Sequence, residues 1–149
     1  IISNVNTRKK EYLTIFNIAS PEIKAHSVKL VIQDDYLCVS FYRKDNFLAE
    51  FSFRQFYGNP YVLFSNRTLV AEKYRNKGIA QAMQKVKEQV CKDNNVTLLL
   101  ATVIMGNSAQ EHVLNKCGWK LLTHFDDGGL YGVREKGYLL FGLNIEKEN

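Results

Sequence analysis

At 149 residues, 46% hydrophobic and 23% charged, the chain has the length of one domain and the composition of an ordinary soluble globular protein, which excludes disordered and fibrous classes. No apolar run approaches the roughly 18 residues needed to cross a bilayer, the longest, Val96 to Ile104, being interrupted by Thr97 and Thr102. A net charge of +5 admits acidic or phosphorylated partners and says nothing of fold; with basic residues spread along the chain, Arg8-Lys9-Lys10 reads as a solvated face and nucleic acid as the lesser reading.

In chain order, Thr7 is placed to cap a helix that carries Tyr12, Leu13, Ile15, Phe16 and Ala19 toward a core and stops at Ser20-Pro21. Val28 to Ile32 reads as a strand and Asp34-Asp35 as a turn. Aromatic and β-branched residues then dominate Tyr36 to Tyr42 and Phe47 to Phe53, the arms of a hairpin around Arg43-Lys44-Asp45-Asn46. In the second arm Phe47, Ala49, Phe51 and Phe53 alternate onto one face, which is expected to be core. Gly58-Asn59-Pro60 marks a turn before a strand over Tyr61 to Val70.

Gly78 to Lys92 is the strongest helix, with Ile79, Ala82, Met83, Val86 and Val90 at three and four spacing and lysines and glutamines expected opposite them. Asp93-Asn94-Asn95 ends it, and the apolar run Val96 to Met105 is expected to be a strand buried on both faces. Asn107 is placed to cap a further helix, Gln110 to close a capping box, and Ala109, Val113, Leu114 and Cys117 to form its buried side up to Gly118. Trp119 to Phe125 and Tyr138 to Ile145 are the last strands, joined by a loop holding Gly128, Gly129, Gly132 and Gly137. No internal repeat breaks residues 1–149 into parts, so one domain is expected.

Cys38, Cys91 and Cys117 form no CxxC pair and are odd in number, which argues against a disulfide framework or zinc site. His26, His112 and His124 are too scattered for a metal, so none is expected. Free thiols, with no charged segment leading into an apolar block at the start, fit a cytoplasmic protein.

The chemistry concentrates where the strand through Leu69 and Val70 passes Ala71-Glu72-Lys73-Tyr74 into Arg75-Asn76-Lys77-Gly78-Ile79-Ala80 and a helix. A glycine-containing turn into a helix start leaves backbone N–H groups unpaired at the positive end of the helix dipole, which favours a phosphate. Gly78 admits close backbone approach, Ala80 nearly so, and Lys73, Arg75 and Lys77 add positive charge. The turn lacks the Gly-Lys-Ser/Thr of a P-loop and the third glycine of a dinucleotide fingerprint.

Arg75, Gly78 and Ala80 match the signature of the GNAT acetyltransferases, in which Gln or Arg is followed after two residues by Gly, then any residue, then Gly or Ala. A second match follows, because the strand Val96 to Met105, the helix-opening Asn107, and Gly118-Trp119 eleven and twelve positions later stand where that superfamily has them. The chain thus resembles a GNAT protein over Leu69 to Trp119. The resemblance implies an α/β fold with a mixed, mostly antiparallel sheet flanked by helices and splayed open at a cofactor cleft. It implies that acetyl-coenzyme A, or another acyl-coenzyme A, is the co-substrate, held at its pyrophosphate by the backbone of Arg75, Asn76, Lys77, Gly78, Ile79 and Ala80. Leu69 and Val70 would pair with the pantetheine amides, and Asn107 would touch the arm, a role compatible with capping a helix.

The reaction so implied moves an acyl group to a primary amine, on a small molecule or a protein, in a monomer or homodimer away from membranes. Two features depart from the pattern. Relatives often carry, seven residues after the helix-opening Asn, a tyrosine that protonates the leaving thiolate; here that residue is Leu114, with Tyr131 and Tyr138 as substitutes or as packing residues. The positions where relatives hold a base, eleven and nine before Arg75, are Phe64 and Asn66. A hairpin closing symmetrically about Tyr57 would set Glu50 opposite Phe64, which makes Glu50 and Asn66 the catalytic candidates and a plain surface carboxylate the other reading of Glu50. The alternative to an enzyme is a catalytically weak acyl-coenzyme A-binding or partner-binding module with an acidic protein or nucleic acid as its target.

Overall fold

The computed structural model describes residues 5–125 and 137–146. Its strands are β1 (Ser27–Gln33), β2 (Tyr36–Arg43), β3 (Asn46–Gln55), β4 (Val62–Val70), β5 (Leu98–Ile104), β6 (Lys120–Phe125) and β7 (Tyr138–Asn144). Its helices are α1 (Lys9–Ala19), α2 (Ile79–Asp93) and α3 (Ser108–Lys116). The strands form one sheet in the order β1-β2-β3-β4-β5-β7-β6. Every neighbouring pair is antiparallel except β4 and β5, which are parallel because α2 crosses over between them. This is the mixed, mostly antiparallel sheet with helices that the resemblance implies.

One face of the sheet is core. Leu37, Val39 and Phe41 of β2 and Ala49, Phe51 and Phe53 of β3 are buried in one cluster with Tyr12 and Phe16 of α1 and Met83, Val86 and Val90 of α2. Phe16 stacks on Phe41 at 4.3 Å between ring centroids. The alternation expected for β3 holds from Ala49 onward, while Phe47 is only half-buried. Leu48 is buried as well, because it is the extra residue of a β-bulge: Phe41 faces Ala49 but Tyr42 faces Phe47.

Helix α1 begins after Arg8, and no side chain caps it; Thr7 does not have the capping role expected of it. The helix is anchored instead at the far end of α2, where the Asp93 carboxylate accepts hydrogen bonds from Arg8 Nε (3.0 Å) and Tyr12 Oη (2.7 Å). Burial and this hydrogen bond push the Tyr12 phenol well above its ordinary pKa.

Two expectations fail for clear physical reasons. β5 is buried on both faces only in its first half: Leu99, Ala101 and Val103 face the core and Leu100 is buried on the other face, but beyond it Thr102 and Ile104 are exposed. On α2, Gln84 and Lys87 are not on the solvent face but buried, each 5% exposed. Among the described residues no helix is long and apolar enough to cross a membrane.

Candidate functional site

Parallel pairing between β4 and β5 is short. Val62, Leu63 and Phe64 face Leu98, Leu99 and Leu100, and there it stops, although β4 continues to Val70 and β5 to Ile104. The strands therefore part toward their C-terminal ends, the splay expected on resemblance. A bulge in β4 accompanies the parting: Phe53 of β3 faces Ser65 while Ser52 faces Arg67, so Asn66 is the unpaired extra residue and is exposed.

The chain leaves β4 through a 3-10 turn, Glu72–Tyr74, and enters α2 at Gly78. Gly78 has φ +79°, a left-handed conformation, and Asn76 has φ 62°, both suited to residues that tolerate positive φ. The first bond of the α2 ladder runs from the Ala82 N–H to the Gly78 carbonyl (3.1 Å). The amides of Ile79, Ala80 and Gln81 precede that ladder with no side-chain cap and no acidic residue in the first turn, so they present an anion site at the head of the splay.

Between this helix start, β4 and α3 lies a cleft of about 800 Å³, within the size range of small-molecule sites. Leu69, Val70, Arg75, Asn76, Gly78, Ile79 and Ala80 are among the residues that line it. Arg75, Lys87 and Lys116 also line it, and no acidic residue does among the described residues. The Gln84 side chain closes its wall, with Oε1 accepting from Trp119 Nε1 (3.2 Å) and Nε2 buried without a partner among the described residues. A buried donor without an acceptor is costly, and a ligand rich in phosphate and amide oxygens fits a cleft so lined.

A model of the acetyltransferase (GNAT) family matches residues 5–119. The chain belongs to that family. An acetyltransferase from Bacillus subtilis in complex with CoA has a similar structure, with a TM-score of 0.66 at 12% identity over 80% of this chain and 98% of that one. So do spermidine N-acetyltransferase from Vibrio cholerae in complex with CoA and spermine (TM-score 0.65, 12% identity, 76% of this chain and 68% of that one) and a GNAT acetyltransferase from Elizabethkingia anophelis with acetyl-CoA bound (0.65, 13%, 74% and 76%). At such identities the likeness is one of fold. No curated protein matches the chain in sequence.

Within this GNAT fold four candidate residues stand apart from the cleft. Lys77 is not in its lining and forms an exposed ion pair with Glu22 at 3.6 Å. Asn107 is not in the lining either; its side chain caps α3 by accepting from the Gln110 N–H at 3.3 Å, whereas the Asn107 N–H is bonded to the Ile104 carbonyl, so the capping box closes only halfway. Glu50 faces Leu69 and not Phe64, which is opposite Arg54. The expected register fails because the β3–β4 turn is centred beyond Tyr57 and β4 carries the Asn66 bulge. Glu50 and Asn66 are thus not brought together, although Glu50 is cross-strand from a residue that lines the cleft. The Glu50 carboxylate accepts a hydrogen bond from the Cys38 thiol at 3.1 Å, and burial followed by this bond raises the thiol's pKa. Val70 has its carbonyl engaged by Arg75 Nε at 3.1 Å; because the Ala71 N–H bonds to the Leu48 carbonyl, the alternating ladder turns the Leu69 main chain toward Glu50 of β3 and leaves the Val70 N–H facing the splay.

Leu114 is buried and lines the cleft, with half-buried Val113 and Cys117 beside it and Ala109 exposed, contrary to its expected burial. Tyr138 stacks on Phe125 at 5.7 Å and is not in the lining; Tyr131 lies outside the described residues. Gln84 and Lys87 were missed by sequence reasoning. The signal was present, since Lys87 follows Met83 by four residues and precedes Cys91 by four, on the buried stripe itself.

Proposed function

We propose that this chain transfers an acetyl group from acetyl-coenzyme A to a primary amine, with the donor lying in the β4–β5 splay. The observation that carries the reading is the conjunction of that splay with the uncapped α2 start, where Ile79, Ala80 and Gln81 present amides to an anion. The main chain from Arg75 to Ala80 holds the pyrophosphate, with Gly78 giving the close approach and Arg75 and Lys116 the charge. The main chain at Leu69 and Val70 pairs with the pantetheine amides, with the Val70 N–H on the open edge of β4. Asn107 acts through α3, whose start it fixes, and Lys77 adds charge at a distance.

The acceptor enters from the uncovered face of the sheet, where Glu50 projects beside Leu69. There Glu50 attracts the ammonium form of the amine and takes its proton, directly or through water. Asn66 acts in positioning, since the bulge turns it out of the ladder beside the splay. The similar structures with CoA, acetyl-CoA and spermine support a small amine as acceptor. The chain works in the cytoplasm, as a monomer or homodimer.

Release of free thiol from acetyl-coenzyme A tests this across spermidine, small amino compounds and lysyl and N-terminal peptides. Amine-dependent thiol release with a matching acetylated product is expected. Binding of acetyl-coenzyme A with no amine-dependent release would leave a binding module in place of an enzyme.

A further inference from the structure

Lys87 is a buried cation with an unusual setting. Its Nζ donates to Thr68 Oγ1 (2.6 Å) and Ser65 Oγ (3.3 Å) and stands 5.7 Å from the centroid of the Phe51 ring. Ser65 and Thr68 bracket the Asn66 bulge of β4. The titratable groups that act on Lys87 are both thiols, Cys117 at the end of α3 and Cys91 on α2; among the described residues no carboxylate lies within 4 Å of it. Burial lowers its pKa to about 8. Charged lysines are seldom buried unpaired, and here the burial is in the wall of the cleft.

Its depth in the cleft matters. Lys87 lies eight residues beyond Ile79 on α2, which at 1.5 Å per residue is about 12 Å along the helix from the anion-binding end. Pantetheine is an extended arm of that order of length, so an arm anchored by its pyrophosphate at Gly78 to Ala80 brings its sulfur to the level of Lys87. Leu114 and Cys117 line the cleft from α3, and Leu114 offers no proton.

We propose that Lys87 is the proton donor to the departing coenzyme A sulfur, the duty a tyrosine on α3 has in relatives and Leu114 lacks here. The proposal rests on the acyl-transfer reading above. A bond forms between the amine nitrogen and the acyl carbon, and the carbon–sulfur bond breaks with its electron pair going to sulfur. A proton passes from Lys87 Nζ to that sulfur; the proton lost by the amine goes to Glu50 or water, and Lys87 regains one from solvent through the cleft. An ammonium poised near neutrality is well matched to a thiol whose ordinary pKa is about 8.5. The Ser65 and Thr68 hydroxyls aim the donor.

Three proteins test it: the wild type, Lys87→Met and Lys87→Arg, each checked by melting and by acetyl-coenzyme A affinity. Thiolate absorbance of bound free coenzyme A, followed against pH, reads the contact without turnover. The bound thiol is expected to ionise about tenfold more readily in the wild type than in Lys87→Met, because a neighbouring cation favours the thiolate. In turnover with the amine panel, Lys87→Met is expected to lose about 100-fold in kcat with affinity for acetyl-coenzyme A within a few-fold. The wild-type decline of kcat above about pH 8 should vanish with it. Lys87→Arg keeps the charge but does not release a proton, and it should be as slow as Lys87→Met. Wild-type turnover in Lys87→Met, recovery of turnover in Lys87→Arg, or identical thiol titrations would each overturn the assignment while leaving the acyl-transfer reading intact. A wild type that binds acetyl-coenzyme A and acylates nothing would remove that reading and this proposal together.

Discussion

At the scale of single residues, Lys87 and Gly78 set opposite constraints. The folded-state pKa of Lys87, about 8, lies below its ordinary 10.5, so between those values the unfolded chain binds more protons than the folded one. Stability of the ligand-free protein from this group therefore rises with pH across that window. Lys87→Met, which removes the buried charge, is expected to abolish that slope and to stabilise the ligand-free protein at pH 7 by about 1–3 kcal/mol. Urea titrations at pH 7 and pH 10 measure both. A Lys87→Met protein less stable than wild type at pH 7 would show that the hydroxyl contacts of Ser65 and Thr68 outweigh the desolvation. Gly78 poses a conformational problem and not a spatial one: a Cβ there meets nothing within 4 Å, but φ is +79°. Gly78→Ala is therefore expected to fold, at a cost of about 1–2 kcal/mol. Gly78→Val adds a branched side chain over the anion site, and it should lose stabilisation by acetyl-coenzyme A in a melting experiment while remaining folded.

At the scale of elements, the cleft depends on how α1 and α2 are fixed beneath the sheet. Asp93 ends α2, and its Oδ2 accepts from both Arg8 and Tyr12; Gln89 Nε2 donates to its Oδ1 at 2.9 Å. Asp93→Ala leaves the Tyr12 hydroxyl buried without this acceptor and Arg8 with only its 4.0 Å pair to Glu11, and is expected to cost about 1–3 kcal/mol in urea unfolding. A loss under about 0.5 kcal/mol, the size of an exposed pair, would show that the cluster is not a joint. The helices and strands were legible because their apolar periods are strong. What failed were cross-strand details. The pairing of Glu50 with Leu69 was hidden because one extra residue at Asn66 and an off-centre turn shift the ladder, and no local residue pattern announces a bulge of that kind. Thr7 failed as a cap because tertiary bonds from Arg8 and Tyr12 set the helix start instead.

At the scale of the whole molecule, the sheet divides the work. Its helix-covered face carries the core and the cleft, and its other face bears half-buried Glu50 and exposed Thr102 and Ile104. The family was legible because Arg75, Gly78 and Ala80, with Asn107, Gly118 and Trp119, mark a strand-turn-helix geometry that tolerates few alternatives. The chemistry at the sulfur was not, because lysine at position 87 is polar by type and buried only by its place on the stripe. The claim under all of this is that the β4–β5 splay holds acetyl-coenzyme A. Melting with and without that ligand tests it most directly, since a ligand at 100 times its dissociation constant adds about 2.7 kcal/mol to native stability. A concentration-dependent rise in Tm is expected in the wild type and not in Gly78→Val; a wild-type melting curve unmoved by millimolar acetyl-coenzyme A would contradict the account.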